Sequence, residues 1–367
     1  GLFDHAIHKL MVRNDSLIAV KLHSNVSLNK VENKINEGVF DPQNGIFIFG
    51  SYYNGLYIFK PAHFSVLKIG DEKKLKQRNH SIFYSHVEFE NRDILVNSNI
   101  LFDSLGKYKI LNFENTNIRA LAYKDVANNI WHSDGNKIII KQHSAFDTIA
   151  LDYELNGPIN MTTIDATTKL ISDYNKLLLL KKDKIVNLIT AFNSNKNERF
   201  NFLYRSETDL NTYILTNKNI CLFNINNYSL DTLDNLPECD YRNMSSLSDK
   251  YTFIGTYGQG FFIYDGKKWH PMPLDKKGHL KFAHAALCDA HGHVWISTNN
   301  GLFRTRLQDM TDYITGKSKN IFYFYYDKSS GFLTNEFNGG CQSPAIKLKD
   351  GRFSFSSMDG LVQFDPL

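Results

Sequence analysis

Apolar residues along this chain fall in short unbroken runs closed by tight polar turns, and one arrangement keeps returning. It is clearest in Asn44-Gly45-Ile46-Phe47-Ile48-Phe49-Gly50-Ser51-Tyr52-Tyr53-Asn54-Gly55-Leu56-Tyr57-Ile58-Phe59: a turn, an apolar run, a small residue, a second turn, another apolar run. Good copies follow at Tyr251-Thr252-Phe253-Ile254-Gly255-Thr256-Tyr257-Gly258-Gln259-Gly260-Phe261-Phe262, at Gly292-His293-Val294-Trp295-Ile296-Ser297-Thr298-Asn299-Asn300-Gly301-Leu302-Phe303, and at residues 351–362. Weaker copies are Ile94-Leu95-Val96-Asn97-Ser98, Asn129-Ile130-Trp131-His132-Ser133-Asp134, Lys169-Leu170-Ile171-Ser172-Asp173 and Tyr213-Ile214-Leu215-Thr216. The residue aligned with Gly50 falls at 50, 97, 132, 172, 215, 255, 297 and 356, in steps of 47, 35, 40, 43, 40, 42 and 59. Most steps lie near the period of about 40–50 residues that marks a four-stranded propeller blade.

The chemistry of the runs explains the motif. Ile46-Phe47-Ile48-Phe49 is apolar at every position rather than alternately, which suits a strand covered on both faces. Blades stacked around an axis give that cover, and the small residue ending each run fits the crowded axial end. Asn-Gly and Asp-Gly pairs (Asn54-Gly55, Asn300-Gly301, Asp359-Gly360) take up the positive φ of tight hairpins at little cost. Apolar residues do not recur at three-to-four spacing, so a helical reading fails. The expected fold is an all-β propeller of seven or eight four-stranded blades, with eight favoured by the count. Residues 1–35 carry two more strand-like runs, His8-Lys9-Leu10-Met11-Val12 and Leu17-Ile18-Ala19-Val20-Lys21-Leu22. They are expected either to close the ring by completing the last blade or to be the remnant of a preceding propeller. The propeller itself occupies residues 36–367.

Composition narrows the function classes. Lys and Arg number 42 against 38 Asp and Glu, a net charge of +4, and basic runs such as Lys73-Lys74-Leu75-Lys76 are short and scattered. Nucleic-acid surfaces cluster their charge on one element, so no nucleic-acid partner is expected. The 27 Phe, 19 Tyr and 3 Trp suit pleated surfaces. No stretch approaches the roughly 20 apolar residues that span a bilayer, and no membrane contact is expected of this fragment. The chain begins at Gly1 and reads as a processed product or an excised piece. Cys221, Cys239, Cys288 and Cys341 show no CxxC spacing, and Cys221 sits inside a strand-like run as a small buried residue. His291 and His293 flank Gly292 in a blade turn, so no metal site and no cofactor are assigned.

At these residues the chain resembles the two-component regulator propeller family, whose repeats read approximately Asp-x-x-Gly-x-Ile-Trp-Ile-Gly-Thr-x-x-Gly-Leu. Asp289-Ala290-His291-Gly292-His293-Val294-Trp295-Ile296-Ser297-Thr298-Asn299-Asn300-Gly301-Leu302 matches nearly throughout. Gly331-Phe332-Leu333-Thr334-Asn335-Glu336-Phe337-Asn338-Gly339-Gly340, Lys349-Asp350-Gly351-Arg352-Phe353 and Gly360-Leu361-Val362-Gln363-Phe364-Asp365-Pro366 look like that family's closing blade. The resemblance covers residues 36–366, strongly after Tyr251 and weakly over residues 119–222. It implies the periplasmic, ligand-sensing part of an inner-membrane histidine kinase that recognises an oligosaccharide or related nutrient, itself non-catalytic. It also implies a second propeller or a homodimer partner as a companion.

Candidate ligand-binding residues follow from topology, because the loops of successive blades converge on one face. Tyr52, Tyr53, Tyr257, Asn299 and Asn300 recur in the turn between neighbouring strands, His132 stands at an axial strand end, and Asn335, Glu336 and Phe337 lie on a long connection. The aromatic run Phe322-Tyr323-Phe324-Tyr325-Tyr326 suits sugar stacking or a strand of the last blade packed on both faces. No Gly-x-Ser-x-Gly turn, His-Glu-x-x-His pair or phosphate loop appears, so no catalytic residue is assigned. Two alternatives stay open: a propeller lyase or hydrolase acting on polysaccharide, and a protein-interaction platform.

Overall fold

Each copy of the motif forms a pair of antiparallel strands. A computed structural model describes residues 2–3, 6–13, 16–23, 33–43, 45–60, 63–70, 81–111, 118–142, 145–155, 157–190, 198–207, 209–234 and 236–366. The protein is all-β and divides into two units, residues 1–62 and 63–367.

The first unit holds two three-stranded sheets. One joins Leu2–Phe3, Ala6–Arg13 and Ser16–His23, and the other joins Ile35–Asp41, Ile46–Ser51 and Gly55–Phe59. The copy of the motif at residues 46–59 belongs here, so the step of 47 from Gly50 to Asn97 crosses from one unit to the next.

Among its described residues the second unit contains seven four-stranded antiparallel sheets, numbered I to VII from the first. Sheets I to VI span residues 86–110, 122–150, 159–190, 200–232, 240–271 and 283–326, each built from consecutive strands. Sheet VII takes three strands from residues 345–364 and its fourth from the far end of the unit. That strand is Ser65–Leu67, which pairs Ser65 with Gln363, Val66 with Val362 and Leu67 with Leu361. The hairpin over residues 6–23, expected either to close the ring or to be the remnant of a preceding propeller, pairs with Leu2–Phe3 in a sheet of the first unit. Ser65–Leu67 is too short to show as a run, and what pins it is the neighbouring Phe64, buried among Tyr326, Phe332 and Phe364.

A separate apolar layer joins each sheet to the next. Val87 and Ile130 meet between sheets I and II, Trp131 and Ile171 between II and III, and Leu170 and Ile214 between III and IV. Leu215 and Ile254 fill the gap between IV and V, Phe253 and Ile296 that between V and VI, and Trp295 and Phe355 that between VI and VII. Leu361 and Leu348 of sheet VII pack with Phe83, Ile94 and Phe102 against sheet I. This is why the runs are apolar at successive positions: alternate side chains enter different layers.

The last step of the repeat, 59 residues, has two causes. A helix, Leu307–Ile314, is inserted between the third and fourth strands of sheet VI, and residues 327–344 form the long connection to sheet VII. Phe324–Tyr326 is the outermost strand of sheet VI rather than a doubly packed strand of the last blade, and Phe322 and Phe324 are largely exposed.

Candidate functional site

The first strand of each sheet lies upstream of the motif, and in several sheets it carries a bulge. In sheet IV the register slips between Phe200 and Phe202, in V between Tyr241 and Asn243, and in VI between Ala283 and Ala285. The residues left without a ladder partner are Asn201, Arg242 and His284. A bulge bends its strand and re-aims the extra side chain, so three polar groups leave the sandwich pattern at equivalent positions of neighbouring sheets. The sheet of the first unit repeats the device, slipping between Ile35 and Glu37 and leaving Asn36.

Each bulge residue, or a neighbour on its strand, meets the turn two residues beyond the small position of the motif. In the first unit Tyr52 donates from its hydroxyl to Asn36 Oδ1 at 3.1 Å. In sheet V the Tyr257 ring lies over the Arg242 guanidinium, 4.8 Å from ring centre to Cζ. In sheet VI the His284 Nε2 and Asn299 Oδ1 are 2.5 Å apart. In sheet IV the turn residue Asn217 accepts from the Arg199 amide at 2.9 Å.

Sheets IV and V are joined by a polar arc, and His284 of sheet VI lies beside it, its ring 6.3 Å from that of Tyr257. Asp240 Oδ2 accepts from Arg242 Nη2 at 2.7 Å and from Arg199 Nη2 at 3.3 Å, while Asp240 Oδ1 accepts from Asn201 Nδ2 at 2.6 Å. Arg119, ahead of sheet II, stacks over the Tyr84 ring at 4.8 Å. Burial lowers the pKa of Arg242, and the like charges of Arg199 and Arg119 add to that against the pull of Asp240. Burial also lowers His284 to about 4 and His86 to about 3, which keeps both imidazoles neutral at pH 7. Arg242 Nε, Asn243 Oδ1, His284 Nδ1, Asn160 Oδ1 and His86 Nε2 are buried without a protein partner. Buried polar atoms of this kind are commonly satisfied by water.

A buried strap, residues 337–342, links several of these sheets. Phe337 donates its amide to Thr298 O of sheet VI, and the Asn338 side chain donates to Phe83 O beside sheet I. The Cys341 thiol donates to Tyr84 O, and Gln342 Oε1 accepts from the Met161 amide of sheet III at 2.8 Å. Glycine is required where the strap meets the arc. A Cβ on Gly339 would stand 2.7 Å from the His284 side chain, and one on Gly340, whose φ is +70°, would stand 2.7 Å from Arg242 Nη1. Burial holds the Cys341 thiol up at about 12, against the opposing effect of Arg119 and Arg242, so it stays protonated.

The residues singled out in the sequence are distributed unevenly. Tyr257 and Asn299 sit on the arc. His132 lies on the strand Ile130–Asp134 of sheet II, half-buried, with its pKa lowered to about 4 by burial. Asn300 holds its turn, donating its amide to Thr298 Oγ1. Asn335 accepts from the Lys328 amide and so braces the connection, and Glu336 is exposed there. Phe337 is 1% exposed and packs on Phe332 and Phe355, which makes it a core residue and not a ligand contact. Tyr52 and Tyr53 occupy the corresponding turn of the first unit and are highly exposed. The sequence reading missed Arg119, Arg199, Asn201, Asp240, Arg242 and His284. His284 left a signal, one polar residue in the otherwise apolar Ala283–Cys288 strand 15 residues ahead of Asn299, whereas Arg242, 15 residues ahead of Tyr257, stands among other polar residues and left none.

No protein-family model matches the sequence. The chain is 28% identical over 112 residues to histidine kinase P4 of Formosa agariphila, a stretch that covers 30% of this chain and 7% of the kinase. Its fold is that of the extracellular domain of the putative hybrid two component system BT3049 from B. thetaiotaomicron, with a TM-score of 0.67 at 15% identity. That match covers 96% of this chain and 47% of the solved domain, so the chain spans less than half its length. Virginiamycin B lyase from Staphylococcus aureus shares the fold more distantly, with a TM-score of 0.59 at 11% identity over 82% of this chain and 98% of the lyase. The fold is thus that of two-component sensor domains, and among the described residues no helix is long and apolar enough to cross a membrane.

Proposed function

We propose that this chain is an extracytoplasmic, periplasmic sensing region of a two-component signalling protein, and that it binds an oligosaccharide or related nutrient over the polar arc of sheets IV and V, beside His284. The supporting observation is the run of bulges that presents Asn201, Arg242 and His284 at equivalent positions beside the exposed Tyr257. Bulges are common beside functional sites, where they re-aim a side chain, and here they gather polar groups under the exposed Tyr257. The likeness to extracellular domains of hybrid two-component systems supports the same reading. In it, the seven sheets form a closed ring clasped by Ser65–Leu67, residues 1–62 end a preceding propeller, and a second propeller or a second copy of the chain completes the receptor. The signal then passes to a kinase through the domains that follow.

Isothermal calorimetry and thermal unfolding against a panel of neutral and acidic oligosaccharides test this. Heat of binding with a rise in melting temperature, and no change in the sugar, is the expected result. A panel without any binder removes the glycan reading. A second reading, a lyase, has the likeness to virginiamycin B lyase behind it together with His284, a neutral imidazole able to accept a proton. Release of an unsaturated product would establish it in place of the first.

A further inference from the structure

The charge in the arc is not balanced by the arc itself. Arg199 and Arg242 both direct Nη2 to the same oxygen of Asp240, and the other oxygen is taken by Asn201. One carboxylate therefore serves two guanidinium groups. The Arg242 side chain is 12% exposed, and its buried Nε donates to no protein atom. Guanidinium groups out of bulk water that share a carboxylate are incompletely compensated, and a further anion restores the balance.

An open aromatic face stands beside this excess charge. Tyr257 is 44% exposed, with one face on Arg242 and its edge held by Phe282 at 4.8 Å. A ring that is apolar in body and polar at the tip suits the face of a sugar. Planar guanidinium forks suit carboxylate or sulfate. Resting on the sensor reading above, we propose that the ligand is an acidic saccharide, its carboxylate or sulfate held by Arg199 and Arg242 while a sugar ring lies on Tyr257.

Calorimetry on the full chain with digalacturonate, a sulfated chondroitin disaccharide and lactose tests the assignment and separates the two anion chemistries. One or both charged sugars bind and lactose does not. Raising the NaCl concentration from about 25 to about 250 mM weakens that binding at least roughly fivefold in the unaltered protein, a readout that needs no variant. Arg199→Gln and Arg242→Gln each weaken it about tenfold or more, as expected for loss of one charge-assisted contact, and Arg199→Lys recovers part of the loss. Thermal unfolding of each variant checks that the fold is intact. Binding of lactose with no binding of the charged sugars overturns this inference and leaves the sensor reading standing. Charged-sugar binding that ignores both salt and the arginine variants overturns it as well. Failure of all three sugars and of the wider neutral and acidic panel overturns both.

Discussion

Asp289, the first residue of the motif at residues 289–302, is predicted to be one of the most costly surface-turn residues to lose. Its side chain is 1% exposed and serves four donors at once. Oδ1 accepts from the amides of His291 and His293, both at 2.9 Å, and Oδ2 accepts from Trp295 Nε1 at 3.1 Å and from the His293 ring Nδ1 at 3.2 Å. Asp125 repeats the arrangement in sheet II, accepting from the amides of Ala127 and Asn129 and from Trp131 Nε1 at 2.9 Å. In Asp289→Ala the indole N–H of Trp295, a fully buried residue, loses its partner, which costs about 1–3 kcal/mol. The two turn amides lose a charged acceptor but keep access to water, at about 0.5–1 kcal/mol each. The total is about 2–5 kcal/mol, a fall of roughly 3–8 °C in melting temperature for a unit of this size. Asp289→Asn keeps one acceptor oxygen and should lose about half as much. Asp350→Ala is the control: that carboxylate is exposed and bonds only to Arg352, so the change should stay within about 1 kcal/mol. Urea unfolding followed by tryptophan fluorescence reads all three. If Asp289→Ala unfolds within about 1 kcal/mol of the parent, or Asp289→Asn is as damaging as alanine, the aspartate is not the joint between turn and core.

The other predictions concern the axis and the clasp. At Gly255 an added Cβ would lie 2.5 Å from Ala283 O, whereas at the aligned Gly50 it would meet nothing within 4 Å. Gly255→Ala should therefore cost about 2–3 kcal/mol and Gly50→Ala under about 0.5, and equal losses in chemical denaturation would count against the crowding between sheets V and VI. The imidazoles of His86 and His284 are held neutral down to about 3 and about 4, whereas an unfolded chain protonates them near 6.5. Below that value the unfolded state binds more protons, so stability is complete above about pH 7 and declines as pH falls toward 4. The decline is about 2 kcal/mol per histidine between pH 7 and pH 5. His284→Gln should shrink the difference between the two urea midpoints, and coincident midpoints in the parent would rule the effect out. Residues 63–367 should melt cooperatively on their own, whereas residues 70–367, lacking Phe64 and Ser65–Leu67, should bind a hydrophobic dye and melt broadly. A sharp, unchanged melt of the shorter chain would show that the clasp is dispensable.

Much of the fold was legible because its strands are continuous apolar runs with Asn-Gly and Asp-Gly turns, and a layered sandwich leaves that trace directly. The run at residues 46–59 misled the count because a sheet in another unit obeys the same chemistry. Ser65–Leu67 was invisible because three residues carry no periodicity, and the pairing that defines the strand lies almost 300 residues away. The site was half legible. Tyr257 and Asn299 of the candidate arc were named because turns announce themselves, while Arg242 and His284 were not, since a bulge depends on how two strands register. Phe337 was misplaced for the opposite reason: a long connection looks like a surface loop, yet this one dives into the aromatic layer between sheets VI and VII.

The pairing of Ser65 with Gln363 brings the beginning of the second unit beside its end. Because the two strands are antiparallel, traction on the polypeptide at residue 63 and at residue 366 would pull at the same end of that ladder. Its rungs then part singly from the Ser65–Gln363 end, as a zip opens, instead of sharing the load. A unit packed layer upon layer against heat thus has a mechanically soft latch where both leads attach, and a tug on either lead is felt first by the sheet that joins them.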